Sequence, residues 1–312
     1  MKQYWQRLIP RTGWRGFFSD LKREISEDRV GIGAAALAYF LMFSLFPALL
    51  VLLALTSFIP VERVDQAMFD FINQGLPRDA ASLISKVLAE IRTETNGGLI
   101  SAGILAAVWA ASSGFYAVMQ QMNIAYEVKE SRPFFKARLT ALAMLGLFIL
   151  LALGCFTLIV FGGQIQEWLA GYVGRTSLLL DFFAVSRWVI LFAAGLTAFS
   201  LFYYLGPNVR QKFICVTPGS VVATVLLAAA SVGFNVYVSN FGNYAKTYGS
   251  IGAVVVLLLW LYIAGWVLLL GAEINSLYRS YESRGRPLEM RRGPSEGPLV
   301  SGLNRRKSLS GV

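Results

Sequence analysis

Few residues of this chain could act as an acid, a base or a nucleophile. Its 312 residues include no histidine, so the side chain that most often transfers protons near neutral pH is missing. The two cysteines, Cys155 and Cys215, lie far apart in the sequence and have no metal-ligand spacing. The apolar segments contain no pair of carboxylates, and no phosphate-binding glycine motif is present. We therefore expect a protein that is not an enzyme and that uses no metal or cofactor.

Polar side chains within apolar segments are the remaining candidates for a functional site. Burying such groups in a membrane costs free energy, so each needs a hydrogen-bond partner or a function. One interpretation is a polar pathway for a solute or a lipid headgroup. The other is hydrogen bonding between helices, which contributes roughly 0.6 to 2 kcal/mol per contact. The candidate pathway residues are Tyr39, Ser44, Ser112, Ser113, Gln120, Asn123, Asn235, Asn240 and Tyr248.

Six long apolar segments must position these residues. The chain is 56% hydrophobic and only 15% charged, whereas soluble domains have about a quarter of their residues charged. Each charge-free segment is long enough to cross a membrane core of roughly 30 Å, which takes about 20 residues. The predicted fold class is therefore all-α, a polytopic membrane protein with six transmembrane helices. The predicted spans cover residues 34–59, 99–122, 139–161, 184–205, 218–239 and 249–271.

The distribution of basic residues predicts the orientation of these spans. With the N-terminus inside, 21 of the 28 Lys and Arg residues fall in inner segments and seven in outer segments. Inner loops of membrane proteins carry this excess of positive charge. We expect a multi-pass protein of a bacterial inner (plasma) membrane with both termini in the cytoplasm. Topology and attraction to membrane lipids account for the net charge of +10, so no nucleic-acid partner is expected.

Two further regions show amphipathic helical patterns. Residues 1–33 form a predicted cytoplasmic segment in which Trp14, Phe17, Phe18, Leu21 and Ile25 recur at helical spacing. Such a helix lies either in the headgroup region, which we favour, or against the mouth of the bundle. The first outer loop has the pattern of two short amphipathic helices, which could cap the bundle or shape an entrance. Residues 34–275 form the membrane domain, and residues 276–312 form a basic tail predicted to be disordered.

Small residues recur at intervals of four in the second predicted span. They are Ala102, Ala106, Ala110 and Gly114. Because small side chains let helix backbones approach closely, this pattern predicts a span at the centre of the bundle.

Several short motifs, in order along residues 20–280, resemble the YihY/BrkB family of membrane proteins. The second span carries Trp109 with Ser112 and Ser113, and it is followed by Pro133-Phe134 with Arg138. The other motifs are Asp28-Arg29-Val30, Ala34 to Phe40, Ser44 to Pro47, Asn123 with Tyr126, Tyr204 to Pro207, Pro218-Gly219, Tyr248 to Gly252, Trp260 to Tyr262 and Leu270 to Asn275.

The resemblance implies a bacterial inner-membrane protein of six helices. Part of that family carried the name ribonuclease BN, others have been called virulence or serum-resistance factors, and some have been linked to lipid or envelope traffic. The resemblance supplies no catalytic residue for this chain. RNA cleavage requires metal-binding carboxylates or a histidine acid and base, and the predicted bundle contains neither. The leading hypothesis is a transporter or translocator of a lipid or envelope component, with membrane lipids as partners. The alternative is a non-catalytic membrane scaffold or envelope-biogenesis factor.

Overall fold

The computed structural model describes residues 13–56, 97–173, 178–240 and 242–283. Within these ranges the chain forms seven α-helices and no β-strand. The helices are α1 (Gly13–Glu27), α2 (Val30–Thr56), α3 (Gly97–Ala125), α4 (Phe134–Val173), α5 (Leu178–Leu205), α6 (Pro218–Asn240) and α7 (Gly242–Ser283). The predicted all-helical architecture is confirmed for this part of the chain.

Four of the helices are long and apolar enough to cross a membrane. Their apolar stretches are Phe134–Cys155 in α4, Val185–Leu205 in α5, Pro218–Val238 in α6 and Val254–Tyr281 in α7. A fifth span is obtained if α1 and the first part of α2, which are bent by 55° at the turn between them, count as one. The chain is therefore a membrane protein. Each predicted span falls largely on one of α2 to α7, and the count of six stays a prediction.

The observed helices differ in length from the predicted spans. Helix α4 runs to Val173, and α7 runs from Gly242 to Ser283. Both exceed the predicted segments because those were bounded by apolar, charge-free sequence, and a helix can continue past the end of its apolar stretch. The first residues of the predicted tail, 276–283, therefore belong to α7. The predicted outer-loop helices lie at residues 57–96, outside the described residues.

Helix α1 packs against the end of α7. Phe17 and Leu21 are buried there, in contact with a small apolar cluster that includes Ile274 and Leu277. On the same helix, Trp14 and Phe18 are exposed. One apolar edge of α1 therefore packs against the bundle, which was the alternative to a position in the headgroup region. Its neighbouring apolar edge stays open, as a helix at a membrane surface requires.

Helix α3 packs against α2, α4 and α7, whereas α7 packs against α1, α2, α3, α5 and α6, so the predicted central position of the second span is not established. Gly114 is buried, and a side chain there would collide with the Ser44 side chain of α2. Ala106, two steps earlier in the small-residue ladder, is exposed. The close approach therefore uses only the later part of the predicted ladder.

One end of the bundle gathers α1, the α3–α4 loop, the α5–α6 loop and the last turns of α7. The ring of Phe17 packs at a tilt against that of Tyr278, with 5.4 Å between ring centroids. Arg132 of the α3–α4 loop bonds the carbonyl oxygens of Leu205 and Gly206, where α5 ends. We call this end the α1 side.

Candidate functional site

Two carboxyl groups from distant parts of the chain meet on the α1 side. Asp28 lies in the turn between α1 and α2, beside Arg29, whose φ of 49° ends the helical path of α1. Glu273 of α7 is only 1% exposed, and its carboxyl group lies within hydrogen-bonding reach of Asp28. No Lys or Arg nitrogen of the described residues lies within 4.0 Å of either group. A hydrogen bond between two carboxyl groups requires that one of them carries a proton.

The surroundings of Asp28 favour its protonated form. Burial raises the pKa of Asp28 above its ordinary value, and the carboxylates of Glu24 and Glu127 raise it further. The hydrogen bond with Glu273 works in the opposite direction without reversing the rise. Moreover, Asp28 Oδ2 is buried without a hydrogen-bond partner. The acid pair thus brings the α1–α2 turn and α7 together through two carboxyl groups.

A second polar group joins α3 to α4 through the guanidinium of Arg138. Its Nη1 donates to Ser112 Oγ at 3.2 Å and to Ser113 Oγ at 3.1 Å. Both hydroxyls in turn donate to the Trp109 carbonyl oxygen, so their lone pairs are left to accept from the arginine. The guanidinium carbon lies 4.3 Å from the Trp109 ring centre and 5.1 Å from that of Tyr116. The cation is therefore held between two aromatic rings and two hydroxyl groups.

The hydrogen-bonding capacity of Arg138 is only partly used. A guanidinium has five N–H donors, and those with acceptors among the described residues are on Nη1 alone. The Nε atom is buried with no acceptor. No carboxylate of the described residues lies within 4.0 Å of this side chain. An unmet buried donor costs about 1–3 kcal/mol, so the site favours an added acceptor.

A third polar group fastens the two loops of the α1 side to each other. Glu130 accepts from Arg132 Nε at 2.8 Å and from Asn123 Nδ2 at 2.9 Å. The side-chain oxygen of Asn123 accepts from the backbone N–H of Asn208 at 2.7 Å. Arg132 continues to the carbonyl oxygens at the end of α5, at 3.1 and 2.7 Å. We call this set of residues (123, 130, 132 and 208) the loop clasp.

Charge stabilises the loop clasp. Burial by itself would raise the pKa of Glu130, but the hydrogen bonds from Arg132 and Asn123 outweigh it, so the pKa is lowered. Glu130 is therefore ionised and paired with Arg132 at neutral pH. Because all of these contacts are local to two loops, the clasp holds structure and leaves no open ligand position.

The structure places the predicted pathway residues in several different environments. Ser112 and Ser113 meet at Arg138, and Asn123 is buried in the loop clasp. Ser44 is buried and donates to the Leu41 carbonyl oxygen at 2.9 Å. Tyr39 is exposed, and its ring contacts that of Phe43. Asn235 is also exposed, whereas Gln120 is half-buried. The side chains of Asn240 and Tyr248 lie outside the described residues.

These residues do not line a single pathway in the described part of the chain. Asn235 is 17 residues along α6 from Pro218, which is about 25 Å at the rise of an α-helix. Asn123, by contrast, contacts the loop just before Pro218 on the α1 side. For Ser44, Ser112 and Asn123, hydrogen bonding within and between the elements accounts for the buried polar atoms. The one continuous polar site among them is at Ser112 and Ser113.

Sequence reasoning missed the side chains that complete these sites. They are Asp28, Glu130, Arg132, Arg138 and Asn208, together with the contact between Glu273 and Asp28. One available signal was position: each follows or precedes a predicted span on the same inner side. Charged residues at span ends are also common as simple anchors, so that signal could not show which of them pair.

Comparison with known proteins agrees with this membrane architecture. The sequence profile of a family described as "Virulence factor BrkB" matches residues 21–294. The chain belongs to the YihY/BrkB family. The match includes all three polar groups, from Asp28 at the first turn to Glu273 near the end of α7. No solved structure matches the chain.

Relatives within the family carry names that describe location more than activity. The ribonuclease-like protein YfkH of Bacillus subtilis (strain 168) is 39% identical over 78% of this chain and 88% of its own length. A UPF0761 membrane protein of Stenotrophomonas maltophilia (strain R551-3) is 28% identical over 85% of this chain. The match covers 61% of that relative. A UPF0761 membrane protein of Xanthomonas campestris pv. campestris (strain B100) is also 28% identical, over 94% of this chain and 67% of its own length. The words "ribonuclease-like" are a name and do not show an enzymatic activity.

Proposed function

We propose that this protein translocates a lipid or another envelope component across the bacterial inner membrane, and that the Asp28–Glu273 pair exchanges a proton during the cycle. The acid pair, in which Glu273 is buried and Asp28 half-buried, carries the proposal. Ionisable groups buried in membrane bundles are costly and are typical of proton relays and substrate pathways. Here the pair joins the α1–α2 turn to α7 without a basic partner among the described residues.

The pair lies where movement would change its hydration. Asp28 precedes α2, which packs on both α3 and α7, and Glu273 lies within α7 itself. If α7 tilts away from the α1–α2 turn, water reaches both carboxyl groups and the shared proton is released. If it returns, burial again favours the protonated pair. Proton binding and bundle closure are thus thermodynamically linked in this scheme.

The proposal includes six spans with both termini in the cytoplasm. Two observations support it. The first turns of α1 and the last turns of α7 pack together, which requires an even number of crossings between them. In the described ranges the Lys and Arg residues lie on the α1 side, apart from Arg187 and Lys246, as an inner face predicts.

A scaffold without transport is the second candidate. The loop clasp favours it, because a tightly bonded face is suited to holding a partner in a fixed position. Such a protein would need no proton exchange. The behaviour of Glu273 therefore separates the two functions.

Reconstitution in liposomes tests the proposal. We expect the full chain to accelerate the movement of a fluorescent phospholipid between leaflets, with a rate that responds to a pH gradient. Glu273→Gln mimics the protonated acid, so this variant should lose the response to the gradient. The control is Lys129→Gln, which removes an exposed charge on the same side and leaves every carboxyl group in place.

The outcomes are distinct. A rate equal to that of protein-free liposomes contradicts translocation of phospholipid and favours the scaffold. Movement that responds to the gradient equally in the wild type and in Glu273→Gln contradicts the role of the acid pair.

A further inference from the structure

We infer that Arg138, together with Ser112 and Ser113, forms a binding site for the phosphate of a membrane phospholipid where α3 packs against α4. This site is separate from the acid pair. Binding there does not require movement of the lipid across the membrane. The site can therefore exist even if the protein does not translocate lipid.

The donor geometry of Arg138 indicates a phosphate. The Nη1 atom is committed to the two serine hydroxyls, which fix the plane of the guanidinium. The unused donors are on Nε and Nη2, which share one edge of the group. That edge presents two parallel N–H groups, the arrangement that binds two oxygens of a phosphate at once. A phosphate would therefore supply an acceptor to the one buried side-chain donor of the described residues that has none, Nε of Arg138.

The neighbouring surface indicates that the phosphate belongs to a lipid. Arg138 lies one turn into α4, within the apolar stretch that begins at Phe134. Around it, Phe135 is 81% exposed and Leu139 is 67% exposed, and the Trp109 ring is also open on one side. Trp109 packs on Phe134 with 5.7 Å between ring centroids. Acyl chains can cover these apolar side chains, whereas a free phosphate ion leaves them bare.

A basic, aromatic-lined position near the start of a membrane helix is where lipid headgroups meet hydrocarbon. There the cation reaches the phosphate while its aliphatic stem and the rings remain in the apolar region. Because Arg138 has no acidic neighbour among the described residues, a bound phosphate would not compete with a carboxylate.

Lipid retention measures this site directly. The full chain is purified from nanodiscs of phosphatidylglycerol and phosphatidylcholine, and the bound lipids are counted by native mass spectrometry. We expect Arg138→Gln to retain about tenfold less phosphatidylglycerol than the wild type, since it loses the charge and the paired donors. Arg138→Lys keeps the charge and loses the planar edge, so its retention should be intermediate.

Arg187→Gln is the matched control. Arg187 also lies over an aromatic ring, 5.6 Å from the centre of its sequence neighbour Trp188. It therefore reproduces the cation and the ring away from the contact between α3 and α4. Its retention should equal that of the wild type. If Arg138→Gln fails to assemble, the comparison of Arg138→Lys with the wild type decides.

Three results would overturn the inference. The first is unchanged retention in the Arg138 variants, and the second is an equal loss in Arg187→Gln. The third is displacement of the bound lipid by inorganic phosphate at millimolar concentration, which would identify a site for the free ion. Loss of retention confined to Arg138 supports a phospholipid site even if the liposome assay detects no translocation.

Discussion

The α1 side and the opposite half of the bundle are built differently. On the α1 side, hydrogen bonds join α3, α5, α6 and α7 through loops and helix ends. Gly219 of α6 lies so close to α7 that a side chain there would collide with the Gly271 carbonyl group. In the half that points away, a methyl group added at Gly154 or Gly233 would meet no atom of the described residues within 4 Å.

This difference indicates how each half is held together in a membrane. Lipid tails are as apolar as the helices, so apolar side chains alone do not draw helices together. The α1 side gains its cohesion from hydrogen bonds and backbone contact. The opposite half exposes apolar side chains such as Leu150 and Val232, which lipid can cover. We therefore expect the α1 side to be rigid and the far half to be the part that can rearrange.

The largest expected loss of stability comes from disrupting the contact between α6 and α7. Gly219→Ala places a methyl group against the Gly271 carbonyl oxygen and the Asn275 side chain. Overpacking at such a backbone contact should cost about 3 kcal/mol of unfolding free energy. The control Gly233→Ala meets open space, so it should lose nothing. Thermal unfolding in detergent measures both, and equal midpoints would contradict the proposed difference between the halves.

A smaller effect is expected from the loop clasp. Arg132→Gln removes the ion pair with Glu130 and the bonds to the end of α5. It leaves a partly buried carboxylate without its cation, so we expect a loss of about 2 kcal/mol. Arg187→Gln, on the far half, should change the unfolding free energy by less than about 0.5 kcal/mol. A chemical denaturation series compares the two variants, and matching losses would show that the clasp adds no special stability.

The smallest expected effect concerns how the stability of the protein depends on pH, because Asp28 and Glu130 on the α1 side contribute to it with opposite signs. The pKa of Asp28 is raised above its ordinary 3.8, so its contribution to stability is fully present below that pH and is lost as the pH rises through the folded value. The pKa of Glu130 is lowered from 4.5, so its contribution is present above that pH and is lost as the pH falls. The two carboxyl groups thus oppose each other.

Asp28→Asn isolates one of these contributions. The amide can still donate a hydrogen bond to Glu273 but does not titrate. Between about pH 4 and pH 7, the melting temperature of this variant should fall by less than that of the wild type. Unfolding midpoints measured across this range check the sign, and parallel curves for variant and wild type would rule out a raised pKa at Asp28.

The sequence by itself determined the class of protein. Charge-free segments of more than about 20 residues require helices in a membrane, because only helices satisfy every backbone group within the segment. The helical pattern of Phe17 and Leu21 likewise predicted α1. These features depend on local composition and spacing, which are properties of the chain before it folds.

Only the tertiary structure decided which polar side chains meet. Asp28 and Glu273 lie near opposite ends of the chain, and nothing in their spacing indicates that their carboxyl groups meet. Ser112 and Ser113 were visible as polar residues in an apolar segment, but the arginine that uses them comes from the next helix. Asn235, from the same set of candidates, is instead exposed. The physical reason is that pairing depends on helix packing angle and rotation, which side chains from several distant segments set together.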